Sequence, residues 1–175
     1  ILPYDYAADR GLTETLLNRF PVAGAKASDT GDKPLPVFIV GLPRSGTTLA
    51  EAILGAHPDV AALGEQGTAG ALLAPLINEN RPFDDAAILE FRSQFERQRP
   101  DLPDGTIACV DKMPENYRLV GFLKSAYPGC RIIHIERDPR DVALSMWKAH
   151  FSGSALSYTY DLKSMAQKFN LYARM

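Results

Sequence analysis

The stretch 36–58, PVFIVGLPRSGTTLAEAILGAHP, restricts the fold more than any other part of the chain. Val37 to Gly41 is an apolar, β-branched and aromatic run too short for a helix, which predicts a buried strand. From Thr47 onward, apolar residues recur at Leu49, Ala52, Ile53 and Ala56, so a helix follows. His57-Pro58 ends it, because proline disfavours helical geometry in the residue before it. Between strand and helix, Gly41 and Gly46 bound a turn with the spacing of a nucleotide triphosphate loop, G-x-x-x-x-G-K-[ST]. Thr48 fills the last position. Thr47 stands where the lysine belongs, and the positive charge sits at Arg44 instead.

The connection aims several backbone N–H groups at one point, where the helix N-terminus adds partial positive charge. Gly46 lets the backbone approach a ligand closely. Thr47 and Thr48 supply hydroxyls, and Arg44 supplies a charged fork suited to phosphate or sulfate oxygens. In a nucleoside triphosphatase the missing lysine reaches the β/γ-phosphates beside Mg²⁺. Its absence favours a ligand with one 5′-side phosphate and a neighbouring sulfuryl group, which demands no metal. With a net charge of −2 over 175 residues, any anion site must be local. Broad nucleic-acid or membrane-surface binding gains no support from that charge.

The rest of the chain reads as alternating strands and helices. A helix is predicted over 9–20 and a Pro/Gly/Ser-containing linker over 21–36. VAALGEQG is a short extended piece running into a turn. Helices are expected near 67–78 and 84–98, a second buried strand over 106–114 and a helix over 115–126. RIIHIE, 131–136, is a third strand, followed by a helix from about 139 to 150. This order predicts an α/β fold: three layers around a mostly parallel sheet, with a P-loop (nucleoside triphosphate hydrolase-like) architecture. The expected division is an N-terminal helix and linker, 1–34, and a P-loop domain, 35–175. Cys109 and Cys130 lie in or beside apolar runs and outside any C-x-x-C motif, so they read as buried free thiols. No apolar run approaches the roughly 18 residues of a membrane span, and no signal peptide is visible. A bacterial source would then imply a cytoplasmic location. The chain starts at Ile1 and stops at Met175 inside a helical pattern. It therefore reads as part of a longer protein, incomplete at both ends.

GLPRSGTT resembles the 5′-phosphosulfate loop of sulfotransferases that use 3′-phosphoadenosine 5′-phosphosulfate (PAPS). The PRSGTT form is similar to that of tyrosylprotein sulfotransferases and of bacterial sulfotransferases fused to tetratricopeptide repeats. The resemblance runs over roughly residues 35–155. It implies that Arg44, Ser45, Gly46, Thr47 and Thr48 hold the 5′-phosphosulfate. In IHIERDPRDVALSMW, Arg137 follows the third strand and Ser145 comes eight residues later. They match the Arg…Ser pair that holds the 3′-phosphate in that family. Ion pairing among Glu136, Arg137, Asp138, Arg140 and Asp141 is the competing reading of this turn, and Arg140 reads as a surface or structural charge. Trp147 and Phe151, at helical spacing, are expected to pack their helix on the core.

Sulfuryl transfer to a hydroxyl needs a base for the acceptor proton and a charge to stabilise the departing bridging oxygen. The resemblance implies Glu65 as base, since it stands the same distance after Arg44 as in tyrosylprotein sulfotransferases. A carboxylate becomes a useful base when partial burial raises its pKa. The resemblance also implies Lys112, in VDKMP, as the stabiliser of the leaving oxygen. Cytosolic small-molecule sulfotransferases place a histidine base just after this lysine, where Met113 and Pro114 stand here. His57 reads as a helix-end residue and His134 as a hydrogen-bonded core residue. The implied cosubstrate is PAPS, its product is 3′,5′-adenosine bisphosphate, and no metal is expected. The acceptor hydroxyl belongs to a peptide tyrosine, a sugar or a small alcohol. Two rival readings stand beside this one. In a Mg²⁺-dependent P-loop kinase or NTPase, Asp111 at the end of IACVD would hold the metal with Thr48. The other rival is a non-catalytic nucleotide-binding module.

Overall fold

The computed structural model describes residues 3–19, 34–151 and 155–175. The linker assigned to 21–36 lies outside the described residues up to residue 33. In chain order the elements are α1 (Tyr6–Arg19), β1 (Leu35–Gly41), α2 (Thr47–Gly55), β2 (Val60–Ala62), α3 (Thr68–Asn78) and α4 (Asp85–Gln98). There follow β3 (Ala108–Asp111), a 3₁₀ turn (Pro114–Leu119), α5 (Val120–Ala126), β4 (Arg131–Ile135) and α6 (Pro139–Lys148). A second 3₁₀ turn (Ser157–Tyr160) and α7 (Leu162–Arg174) complete the described chain.

The four strands form one parallel sheet in the order β2-β3-β1-β4. Register fixes which loops share an edge. Phe38 of β1 lies beside Asp111, the last residue of β3, and Gly41 lies beside Ile135, the last residue of β4. The segments after β1, β3 and β4 therefore emerge on the same side, the C-terminal edge where parallel α/β sheets hold ligands.

Alternation along β1 divides its side chains between two faces. Phe38 and Val40 join the larger core with Leu16, Leu73, Phe91, Phe122 and Leu123, drawn from α1, α3, α4 and α5. Val37 and Ile39 point the other way, with Val110, against Ala50 and Leu54 of α2. A third cluster under the loop edge joins Leu42 to Val142, Met146, Tyr158 and Met165. The fold is thus α/β with helices on both faces of a parallel sheet, as the strand–helix alternation predicts. Cys109 and Cys130 are buried free thiols.

Local readings are refined in four places. The stripe Leu49, Ala52, Ile53, Ala56 does not face the core. Leu49 and Ile53 are 66% and 65% exposed, while Thr47 and Glu51 are the buried residues of α2. The loop geometry sets the phase of this helix, and apolar periodicity does not. Trp147 is 53% exposed, whereas Phe151 does pack into the third cluster. His134 is hydrogen-bonded, to the Tyr172 hydroxyl, but it is exposed because β4 is an edge strand among those described. The segment read as one helix over 115–126 divides into the first 3₁₀ turn and α5.

Candidate active site

The loop after β1 is held in a shape that only certain residues tolerate. Gly41 abuts the end of β4 so closely that a Cβ there would stand 2.6 Å from the Ile135 carbonyl oxygen and 3.1 Å from Ser45 Oγ. Arg44 has φ 70°, a left-handed conformation that costs a non-glycine residue energy and clusters at functional sites. Gly46, at φ 113°, is the N-cap of α2, and among the described residues no side chain caps this helix. The N-terminal amides of α2 are thus left facing the loop, as an anion cradle requires. Ser45 Oγ is buried without a hydrogen-bond partner among the described residues. A buried hydroxyl without a partner costs free energy, so this atom fits a loop built around a polar ligand.

Arg44 and Arg137 line one cavity of about 590 Å³, together with Gly46, Thr47, Thr48, Glu65, Met113, Glu115 and Ser145. Arg44 Nε donates to Ser145 Oγ at 3.1 Å, which joins the loop after β1 to α6 directly. Arg137 also borders a second cavity of about 610 Å³, lined by Leu42, Ser45, Ile135, Val142 and Tyr172 among others. Its guanidinium stands 3.5 Å from Asp141, a half-exposed contact one helical turn away. Such a pair contributes little, so this contact leaves Arg137 able to turn toward an anion. Arg140 is committed to Asp138 at 2.7 Å on the surface.

Glu65 and Lys112 meet. Lys112 Nζ donates to Glu65 Oε1 at 2.7 Å. The lysine side chain is only 7% exposed, and the glutamate is 59% exposed. The carboxylate expected to be partly buried is therefore in contact with solvent on the cavity wall, and the buried partner is the lysine.

What holds this pair is a set of residues that sequence reasoning missed or read otherwise. Glu51, on the buried face of α2, accepts the Gly64 N–H at 2.7 Å and approaches Lys112 Nζ to 4.0 Å. Leu63 N–H donates to the Val110 carbonyl, and Lys112 N–H to the Gly64 carbonyl, both at 2.9 Å. Asp111 accepts the Gln66 N–H at 3.4 Å and the Asn116 side-chain amide at 3.2 Å. Segment 63–66 is thereby fastened to α2, to the end of β3 and to the first 3₁₀ turn. The Asp111 carboxyl is pushed up to about 7, chiefly by burial and partly offset by the Gln66 N–H and Asn116. Its hydrogen bonds are to Gln66 and Asn116. The signal that could have found Glu51 is its place four residues after Thr47, on the side of α2 that the loop turns inward.

A buried ion network lies behind the site. Arg118 binds Asp9 and Glu115, and Lys168 stands 3.4 Å from both of those acids. It ties α1 and α7 to the first 3₁₀ turn, whose Glu115 also lines the cavity.

Comparison with known proteins assigns the lineage. A profile described as the sulfotransferase family matches residues 36–175. A protein of Aquifex aeolicus with no assigned function is 30% identical over 152 residues, covering 77% of this chain and 20% of its own length. The nodulation protein NoeE of Sinorhizobium fredii is 28% identical over 67% of this chain and 32% of its own. A Caenorhabditis briggsae protein, named provisionally as a protein-tyrosine sulfotransferase, is 31% identical over 77% of this chain and 50% of its own. The chain thus spans half or less of each of these relatives. It belongs to the sulfotransferase family.

Proposed function

We propose that this member of the sulfotransferase family transfers a sulfuryl group from PAPS to an acceptor hydroxyl. One observation carries the reading. Two cationic groups from loops far apart in sequence, Arg44 and Arg137, line a single cavity that also contains Glu65, with Lys112 bonded behind it. An adenosine phosphorylated on both sides of its ribose presents two anionic groups at once, and this cavity presents two cationic receivers for them.

In this reading Arg44, the Ser45 hydroxyl and the amides and hydroxyls of Gly46, Thr47 and Thr48 hold the 5′-phosphosulfate. Arg137 and Ser145 hold the 3′-phosphate. Glu65 takes the acceptor proton as the new bond forms between acceptor oxygen and sulfur. The bond between sulfur and the bridging oxygen breaks, and its electron pair remains on the 5′-phosphate. Lys112 stabilises that developing charge. A fixed charge in a dry setting is strongest where charge develops, and Lys112 is the buried member of the pair. The ion pair holds base and stabiliser side by side before substrate arrives, and the phosphosulfate must draw Lys112 from Glu65 to free the base. Peptide tyrosine is one acceptor this reading admits, as the name of the nematode relative suggests for that protein.

The test is transfer of radiolabelled sulfuryl from PAPS to a panel of phenols and alcohols in the presence of EDTA. The reading predicts label in product with EDTA present and loss of transfer in Lys112→Ala. Hydrolysis of ATP that depends on Mg²⁺, with no sulfuryl transfer, would replace this reading by the kinase or NTPase one.

A further inference from the structure

A second opening adjoins the candidate catalytic pair. A groove of about 240 Å³ runs between α1, α3 and the first 3₁₀ turn, bordered by Leu12, Leu16, Gly67, Gly70, Ala74 and Ile77. Met113 and Glu115 belong to the walls of both this groove and the cavity that holds Glu65. The two spaces therefore adjoin at the residues that immediately follow Lys112. The donor's two anionic groups are assigned to the Arg44 and Arg137 side. An acceptor whose hydroxyl reaches Glu65 then has this groove beside it to take the rest of its body.

The lining is mainly apolar, with Asn78 and Asn116 as its neutral polar members, and its charges are already paired. Glu115 and Arg118 are the ionic groups at the groove. Arg118 is bound to Asp9 and Glu115, and Lys168 compensates the same two acids. Neither is left to read a carboxylate, a phosphate or an ammonium on a ligand. Two wall positions are glycines without a local reason to be glycine. Gly70 lies inside α3, where glycine costs about 1 kcal/mol relative to alanine, and a Cβ there would meet nothing within 4 Å among the described residues. A Cβ on Gly67 likewise meets nothing within 4 Å among those residues, and its φ of −71° suits any residue. Both leave space on the groove wall, where a ligand can lie against the backbone. The volume suits a ring or a short chain, since a cavity of about 150 Å³ holds benzene.

We infer that this groove receives the non-reacting part of the acceptor, and that the acceptor is a hydroxyl compound with a slim, uncharged apolar body, such as an alkyl-substituted phenol. The inference rests on the sulfotransferase reading for the hydroxyl, but the groove itself is tested by binding alone. The full chain, ¹⁵N-labelled, is titrated with phenol and its 4-methyl, 4-ethyl, 4-propyl and 4-butyl derivatives. The expected result is amide shifts at Gly67, Gly70 and Ala74, with affinity rising roughly four-fold per methylene until the groove is full. Gly70→Leu fills the space and should cut 4-propylphenol binding at least ten-fold, while Gly70→Ala folds and retains most of it. Affinity independent of alkyl length, or shifts confined to other surfaces, overturns the assignment, and the wild-type series decides this even if Gly70→Leu fails to fold. Equal affinity for glucose or for an acidic tyrosine peptide overturns it as well. The two readings fail separately. Phenol binding at the groove without sulfuryl transfer from PAPS sinks the activity, and transfer to a sugar with no alkylphenol binding sinks the groove.

Discussion

Asp111→Asn separates the structural work of this acid from any direct part in chemistry. Asp111 is buried at the end of β3, and its carboxyl is pushed from the ordinary 3.8 up to about 7, chiefly by burial. The folded chain therefore holds this proton over a pH range in which the unfolded chain has released it. Folding stability from this group is fully present below about pH 4, is lost as pH rises toward about 7, and is constant above that. This is the opposite of the usual aspartate, whose folded pKa is depressed. The gap from 3.8 to about 7, at about 1.4 kcal/mol per pH unit, amounts to about 4 kcal/mol. A domain has only about 5–15 kcal/mol in total, so the effect is large enough to measure. Asparagine keeps the shape and an acceptor for the Gln66 N–H, and it removes the titration. Urea unfolding of both proteins between about pH 4.5 and pH 8 is the assay, and taking the difference cancels the other titrating groups. Wild type should lose about 3 kcal/mol relative to the variant across that range, and Mg²⁺ at pH 8 should stabilise neither. A pH-independent difference would refute the burial argument. Stabilisation of wild type alone by Mg²⁺ would return Asp111 to the metal-binding role of the rival reading.

Three further outcomes follow from the same geometry. Lys112→Ala should lower kcat by roughly 10²–10³-fold, the typical loss of one transition-state stabiliser, with little change in calorimetric affinity for 3′,5′-adenosine bisphosphate. Gly41→Ala puts a Cβ 2.6 Å from the Ile135 carbonyl oxygen, so thermal unfolding should show a loss of about 1–3 kcal/mol, with nucleotide binding weakened alongside. Glu51→Leu leaves the Gly64 N–H without its acceptor and should cost about 1–3 kcal/mol in denaturant unfolding. Glu51→Gln should recover most of that stability while kcat stays reduced, because the second carboxylate near Lys112 is gone.

Much of the layout was legible because it follows from local chemistry. β-branched runs predict β1, β3 and β4, and the glycine spacing and Pro58 place the loop and the end of α2. The C-terminal edge of a parallel sheet then brings Arg44, Lys112 and Arg137 together, although 93 residues separate the first from the last. The failures share a physical cause, which is that periodicity reports amphipathicity without naming the partner. In α2 the loop fixes the phase, so Leu49 and Ile53 face outward and the acid Glu51 turns inward. RIIHI reads as a core strand, but β4 lies at a described sheet edge, so His134 reaches solvent and Tyr172. Asp111 has the sequence outline of a metal-binding strand end, and only the positions of Gln66 and Asn116 reveal its structural work. The ion pair between Glu65 and Lys112 bridges 47 residues, a contact that spacing along the chain cannot encode.

The central claim is that Arg44 and Arg137 receive the two phosphate-bearing sides of one nucleotide. Calorimetric titration of the full chain with 3′,5′-adenosine bisphosphate, AMP and ATP, all with EDTA, tests it most directly. The bisphosphate should bind tighter than AMP by roughly 10–100-fold, the worth of a charge-assisted contact to the 3′-phosphate, and Arg137→Ala should erase that margin. Equal affinity for the bisphosphate and AMP, or a preference for ATP, would contradict the account.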